Sequence, residues 1–173
     1  ALPWVAEADV RRAFPGTLEI DIVERQAAGL VVDGDRAAVV DEAGRILDVG
    51  TPPEMSALVQ RGESVGHRPV IIEASGFDLA PGTEAPAVVA VAADVAARVE
   101  RNPAGAVSTV IAGEDLVLEL TDGGSVLLGA ASDLDTKIES LRTMIARADL
   151  SCLDTLDLRV ATRPVLTRED GCS

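Results

Sequence analysis

Apolar residues in this chain fall mostly in short runs with a period of two, and turn pairs containing glycine or proline close most of them. That pattern limits the fold more than any other feature. In Thr17–Glu24, Leu18, Ile20 and Ile22 alternate with Glu19 and Asp21, the signature of a half-buried strand. Pro15-Gly16 stands just before it, so Val5–Arg12 and Thr17–Glu24 read as a hairpin. Ala27–Val32 and Ala37–Val40 flank Gly34-Asp35. Asp41-Glu42-Ala43-Gly44 then turns into Arg45–Val49. Val70–Ala74 reads as a buried strand. Ala106–Ala112 and Leu116–Thr121 follow, and Asp122-Gly123 folds the second back into Ser125–Gly129. Asp154–Val160 is a last strong strand, with Leu156, Leu158 and Val160 on one face. Arg163–Thr167 either continues it or pairs beside it.

Two segments have helical spacing. Ala87–Glu100 carries Val88, Val91/Ala92, Val95 and Val99 on one stripe, with Pro86 before it and Asn102-Pro103 after it. The second opens at Ser132, read as an N-cap with Asp135 three residues on. It buries Leu134, Ile138, Leu141 and Ile145 and allows an Asp133–Lys137 pair. Residues 50–69 are the loosest part, with room for a short helix over Glu54–Gln60. Helices that do not alternate with strands predict an α+β fold: an antiparallel or mixed sheet with two main helices.

A chain of 173 residues, 47% hydrophobic and 25% charged, can bury a core of its own. Its aromatic residues are Trp4, Phe14 and Phe77, with no tyrosine, so that core is aliphatic and there is little on which bases could stack. The net charge is −14, which repels phosphate backbones and argues against nucleic-acid partners. The longest uncharged apolar stretch, Ala85–Ala93, ends at Asp94, well short of the ~18 residues that span a bilayer. No signal-peptide pattern or initiator methionine is present, and the chain reads as a mature or truncated form of something longer. Cys152 and Cys172 are too few for a disulfide scaffold or a zinc site; they either pair in an oxidising compartment or stay buried and free.

Enzyme signatures are missing. A triad on the single histidine, His67, would need Ser64 or Ser75 with Asp78, and neither serine sits in a nucleophile elbow. Cys152 as a nucleophile would need that same histidine. Asp33-Gly34-Asp35 begins like a calcium loop, but Ala38 and Gly44 stand where glycine and glutamate are required. There is no Walker loop and no GxGxxG. The reading is therefore no catalytic residue, no metal and no cofactor.

Three blocks carry a family resemblance. The first is Leu2-Pro3-Trp4-Val5, Ala8-Asp9-Val10-Arg11-Arg12, Phe14-Pro15-Gly16-Thr17-Leu18 and Ile22-Val23-Glu24-Arg25. The second is Val40-Asp41-Glu42-Ala43-Gly44-Arg45-Ile46. The third runs from Leu116 through Asp122-Gly123, Val126-Leu127-Leu128-Gly129 and the Lys137 helix to Leu156-Asp157-Leu158-Arg159. In this order and spacing they resemble the FtsQ/DivIB bacterial cell-division proteins. Phe14 replaces the usual tryptophan and Ala27 a usual proline, and the region around 50–105 carries no family motif.

The resemblance implies the end of a POTRA module over residues 1–25, an FtsQ-type β domain over 26–167, and a flexible tail over 168–173. It implies a non-enzymatic divisome scaffold outside the cytoplasmic membrane, anchored by an upstream helix and binding FtsB/DivIC-like and FtsL-like proteins. The family's late strands accept a strand from the FtsB-type partner. Carried over, that edge is Thr155–Thr162, with Thr155, Asp157, Arg159, Val160, Ala161 and Thr162, and with Lys137 and Met144 on the neighbouring helix. The N-terminal hairpin, lacking its POTRA neighbours, is expected to extend the β domain's sheet or to be poorly anchored. The alternative is an extracytoplasmic ligand-binding or hydrolase-like domain with a pocket near His67, Ser75 and Asp78.

Overall fold

The structure is a computed structural model, and it describes residues 2–62, 69–100, 106–147 and 152–169. The fold is α+β. Strands β1 (Val5–Ala13) and β2 (Thr17–Glu24) form a two-stranded sheet of their own. A nine-stranded mixed sheet holds β3 (Gly29–Asp33), β4 (Arg36–Val40), β5 (Ile46–Gly50), β6 (Ile71–Glu73), β7 (Val107–Ile111), β8 (Leu116–Leu120), β9 (Ser125–Gly129), β10 (Leu153–Asp157) and β11 (Val165–Arg168). Its spatial order is β11-β10-β9-β8-β7-β6-β3-β4-β5. Three helices pack on it: α1 (Pro52–Gly62), α2 (Ala87–Glu100) and α3 (Leu134–Arg147).

One aliphatic row explains why the sheet holds together. Ala38, Val31, Ile72, Val110, Leu118, Val126, Leu156 and Leu166 lie opposite one another strand by strand, from β4 to β11. All but Leu166 are fully buried, and Leu166 is partly so. Beneath this row lie α2 and α3, which join the same core cluster. Each makes a crossover between neighbouring parallel strands, α2 from β6 to β7 and α3 from β9 to β10. The opposite face is covered by α1 only over β3, β4 and β5, through a second cluster of Leu30, Ala37, Val39, Leu47, Met55 and Val59.

The third helix, α1, contains the short helix that the sequence allows over Glu54–Gln60 and extends it at both ends. Thr51 and Glu54 supply the reason: the Glu54 carboxylate accepts from both the amide and the hydroxyl of Thr51, at 3.0 and 2.8 Å. These bonds hold the Glu54 carboxyl below its ordinary range. Half of a capping box is thus formed, enough to start an 11-residue helix in the loosest part of the sequence. In α2 the expected Ala92, Val95 and Val99 are buried, together with Val89, Ala93 and Ala96, whereas Val88 faces outward. Alanines let this helix approach closely: Ala90 sits against Gly44, where a Cβ would come within 2.6 Å of it. In α3 the residue before the first turn is Asp133, not Ser132, since the Lys137 amide donates to the Asp133 carbonyl. Asp135 reaches Arg98 on α2. Lys137 turns inward, and its Nζ donates to the Ala130 carbonyl at 2.7 Å.

The hairpin neither extends the large sheet nor hangs free. Its root is fixed at several points. Trp4 packs on the second cluster, the Arg25 amide donates to the Trp4 carbonyl, and the Arg25 guanidinium donates to Asp41 at 2.9 Å. Asp41 is buried and also accepts from the Ala43 and Arg45 amides. Beyond this root the hairpin is two-faced. Ala8–Ile22 and Val10–Ile20 lie opposite each other on one side, with Leu18 across from Arg12; Asp9–Asp21 and Arg11–Glu19 lie on the other. Val10, Leu18, Ile20 and Ile22 are all more than half exposed.

Candidate partner-binding edge

The two ends of the nine-stranded sheet are β5 and β11. Along β5 the chain lays a strap of its own. The Ile46 amide donates to the Thr83 carbonyl, the Gly82 amide to the Ile46 carbonyl, and the Ala85 amide to the Gly44 carbonyl, at 2.8–2.9 Å. Arg45 and Glu84 form an isolated bridge in the same place. No such strap lies along β11, which is the last strand among the described residues.

The final strand is shorter than its sequence pattern suggests. β10 stops at Asp157, and Thr155–Asp157 is paired on both sides, with Ser125–Leu127 of β9 and Val165–Thr167 of β11. The expected free edge over Thr155–Thr162 is therefore corrected: Thr155 and Asp157 are interior to the sheet, and Arg159, Val160, Ala161 and Thr162 lie in the turn that leads to β11. Arg163 and Pro164 explain the reversal, because proline after a polar run breaks a strand. Leu158 remains buried after the strand ends, and its amide donates to the Leu127 carbonyl. The supposed tail begins inside β11, since Arg168 is its last residue.

The turn is well braced. The Asp157 carboxylate accepts from the Arg159 amide at 3.0 Å and from its guanidinium at 2.6–3.1 Å. The guanidinium and amide of Arg159 hold the Asp157 carboxyl below the ordinary range, and the carboxylate in turn raises the Arg159 pKa. The Ser140 hydroxyl on α3 donates to the Ala161 carbonyl, and the Arg163 amide to the Val160 carbonyl. Held this way, Val160 and Val165 each stand more than half exposed beside the edge. Met144 and Ala161 come together in a shallow groove of about 260 Å³ that also includes Thr143 and Pro164. Lys137 is buried and supports the Ala130 turn at the end of β9; it does not line this groove.

β11 falls largely within Arg163–Thr167 and pairs beside β10, one of the two arrangements the sequence allows. Its amides can be sorted by side. The Glu169 amide donates inward to the Cys152 carbonyl at 3.0 Å. Alternation along the strand then points the Val165 and Thr167 amides toward β10 and the Leu166 amide outward.

The other candidates do not converge. Ser75 lines a cleft with Asp33, Glu73, Phe77 and the start of α2, but Asp78 is not part of its wall, and His67 and Ser64 lie outside the described residues. Asp33-Gly34-Asp35 is the β3–β4 turn, with the Asp33 carboxylate accepting from the Gly76 amide. Among the described residues no acidic, histidine or cysteine cluster could hold a metal, and no helix is long and apolar enough to cross a membrane. Cys152 is disulfide-bonded.

Comparison with known proteins gives the same family as the motifs. Residues 1–25 match the family described as POTRA domain, FtsQ-type. The cell division protein FtsQ of Corynebacterium glutamicum is 28% identical over 148 residues, covering 84% of this chain and 60% of that protein. FtsQ of Novosphingobium aromaticivorans is 41% identical over 68 residues, covering 39% of this chain and 21% of its own length. FtsQ of Anaeromyxobacter sp. is 42% identical over 50 residues, 29% of this chain and 17% of that protein. The chain thus spans about three fifths of the length of its Corynebacterium relative. With the POTRA match at its start and these relatives beside it, the chain is similar to the FtsQ cell-division proteins.

Proposed function

We propose that this chain is a non-enzymatic scaffold of the divisome, and that β11 with the turn before it receives a strand from an FtsB/DivIC-like partner. The observation that carries the reading is the open β11 edge beside a braced turn. An outer strand offers outward amides and carbonyls to a second chain, and strand addition satisfies them. Val160 and Val165 supply apolar surface next to that edge. Arg159, Ala161, Thr162 and Met144 keep a role here as neighbours of the docked strand, whereas Thr155, Asp157 and Lys137 act by holding the edge in place.

Residues 1–25 are read as the C-terminal part of a POTRA module, whose exposed apolar face is covered by upstream residues of the whole protein. Residues 26–167 then form the β domain. The whole protein is a single-pass protein of the cytoplasmic membrane with this part on the outer side, where FtsL-like proteins join the same assembly. An acidic surface and three aromatic residues disfavour nucleic acid as a partner.

The test is a calorimetric titration of the chain with a peptide from the C-terminal half of the matching FtsB-type protein, alongside Leu166→Pro. Proline at Leu166 removes an outward amide and leaves the β10 ladder its donors, so the edge should lose about a hundredfold in affinity while unfolding stays cooperative. Equal binding by the two proteins would sink strand addition at β11.

A further inference from the structure

The large sheet is covered unevenly. α2 and α3 lie on one face, while on the other α1 shields β3, β4 and β5. Among the described residues no helix lies over β7, β8 or β9 on the α1 side. Two rows of side chains stand there. Strand pairing sets Glu73, Ile111, Val117, Leu127, Asp157 and Val165 side by side in that order, from β6 to β11. Thr109, Glu119, Ser125, Thr155 and Thr167 form the neighbouring row.

The first row holds an aliphatic stripe three strands wide, Ile111, Val117 and Leu127, and each of these is only half-buried. With strands about 4.8 Å apart the stripe is roughly 10 Å across, the width of one α-helix. The molecule itself shows how such a stripe is covered, since the 11-residue α1 packs over three strands of the same face. An apolar sheet face is stable against a second layer, and here that layer is missing from the described residues.

Charge selects the kind of helix. The stripe is bounded by a carboxylate at each side, Glu73 on β6 and Asp157 on β10, and Glu119 stands in the next row. Neither row contains a basic residue. Glu73 and Glu119 are exposed, without a basic partner among the described residues, whereas Asp157 is engaged by Arg159. Beyond Ile111 the face opens into a cleft of about 730 Å³ whose wall includes Ile71, Phe77, Glu73 and a further carboxylate, Asp33. A docked layer that left these carboxylates unpaired would pay their desolvation, and an acidic one would be repelled. The complement is an apolar stripe flanked by cations.

We propose that the bare face over β7, β8 and β9 docks a basic amphipathic helix of a partner protein. Its apolar stripe lies on Ile111, Val117 and Leu127, its Lys or Arg side chains meet Glu73 and Glu119, and one of these cations sits at the mouth of the cleft beside Asp33. The surface is separate from the β11 edge and does not rest on strand addition there.

The test is an NMR titration of the isotope-labelled 173-residue chain with a synthetic helix of about 16 residues, a leucine stripe flanked by lysines, and with the same peptide carrying glutamates in their place. The lysine peptide should bind saturably, move the amides of Ile111, Val117 and Leu127 most, and bind at least about tenfold more tightly than the glutamate form. Glu73→Lys and Glu119→Lys, both at exposed positions, should each weaken it about fivefold, and Val117→Ala about threefold. Glu139→Lys, on α3 across the sheet, should leave it unchanged. If Glu139→Lys costs as much as Glu73→Lys, the peptide feels only the net charge of −14 and the proposal falls. Equal affinity for the two peptides, no binding, or shifts centred on the hairpin or the Met144 groove would also overturn it. Leu166→Pro separates this surface from strand addition: it should abolish binding of the FtsB-type peptide and spare the lysine peptide. Loss of both would overturn a separate surface. Failure of the FtsB-type peptide on the unaltered chain would sink strand addition alone.

Discussion

The two ends of the large sheet are treated differently by the same chain. At β5 the segment 82–85 pairs with Gly44 and Ile46, and buried Asp41 ties the preceding turn to the hairpin root. At β11 nothing among the described residues lies outside the strand. An uncovered edge invites unwanted pairing, and proteins usually shorten, charge or cover it. Here one end is covered and the other is kept short and flanked by exposed valines. The difference implies that substitutions at the β5 end act on stability and those at the β11 end act on binding.

The largest effect should come at Gly44. Its φ is +81°, and a side chain there would meet Ala90 of α2. Gly44→Val adds a β-branched residue in a left-handed conformation and forces α2 away from the turn, a loss of roughly 3–5 kcal/mol by urea unfolding. Peptide affinity per folded molecule should stay as in the wild type. A folded Gly44→Val protein with weakened binding would mean that the two ends are coupled.

Asp41→Ala comes next. It leaves the half-buried Arg25 guanidinium without its carboxylate and two turn amides without an acceptor. A destabilisation of about 3 kcal/mol is expected, with faster exchange at Trp4 and Arg25. A change under about 0.5 kcal/mol would show that Trp4 alone anchors the hairpin.

At the other end, Val160→Asp tests binding. Val160 is 58% exposed, so stability should move by no more than about 0.5 kcal/mol. Peptide affinity should fall about tenfold, as a buried apolar contact is replaced by a charge. Unchanged affinity would exclude the turn from the interface and restrict it to the backbone of β11.

How far each end was legible in the sequence follows from the same contrast. The turns and alternating runs that build β1–β5 are local signals, and Asp41-Glu42-Ala43-Gly44 marks its own turn. The strap is a tertiary event: nothing in Pro81-Gly82-Thr83-Glu84 says which strand it will meet. In α1 the signal is faint, because its box, Thr51 and Glu54, sits among glycines and prolines. In α2 nearly every position is valine or alanine, so the sequence places Ala92, Val95 and Val99 on the buried stripe but cannot choose between Val88 and Val89. At the β11 end the alternation of Leu156, Leu158 and Val160 suggested one long strand. Period two cannot tell a strand from a strand plus its turn, and Pro164 is the residue that marks the break. The resemblance points to the Thr155–Thr162 segment, but only pairing across the sheet shows that β11 covers β10.

The smallest predicted effect is electrostatic and separates bracing from binding. Arg159 holds the Asp157 carboxyl below its ordinary range when folded. The unfolded chain therefore takes up the proton at a higher pH than the folded one, and stability rises with pH across that window. The contribution is complete above the ordinary carboxyl value and disappears as pH falls through the lowered folded value. Asp157→Asn should thus be less stable than wild type at pH 7, and the gap between their urea midpoints should narrow as the pH falls below the ordinary carboxyl value and through the lowered folded one. It should be smaller than the Asp41→Ala effect at any pH, because Arg159 is mostly solvent-exposed and water screens the pair, whereas Asp41 is buried. A gap that does not narrow at all as the pH falls would mean that the side chain braces the turn by shape and hydrogen bonding alone, without a contribution from its charge.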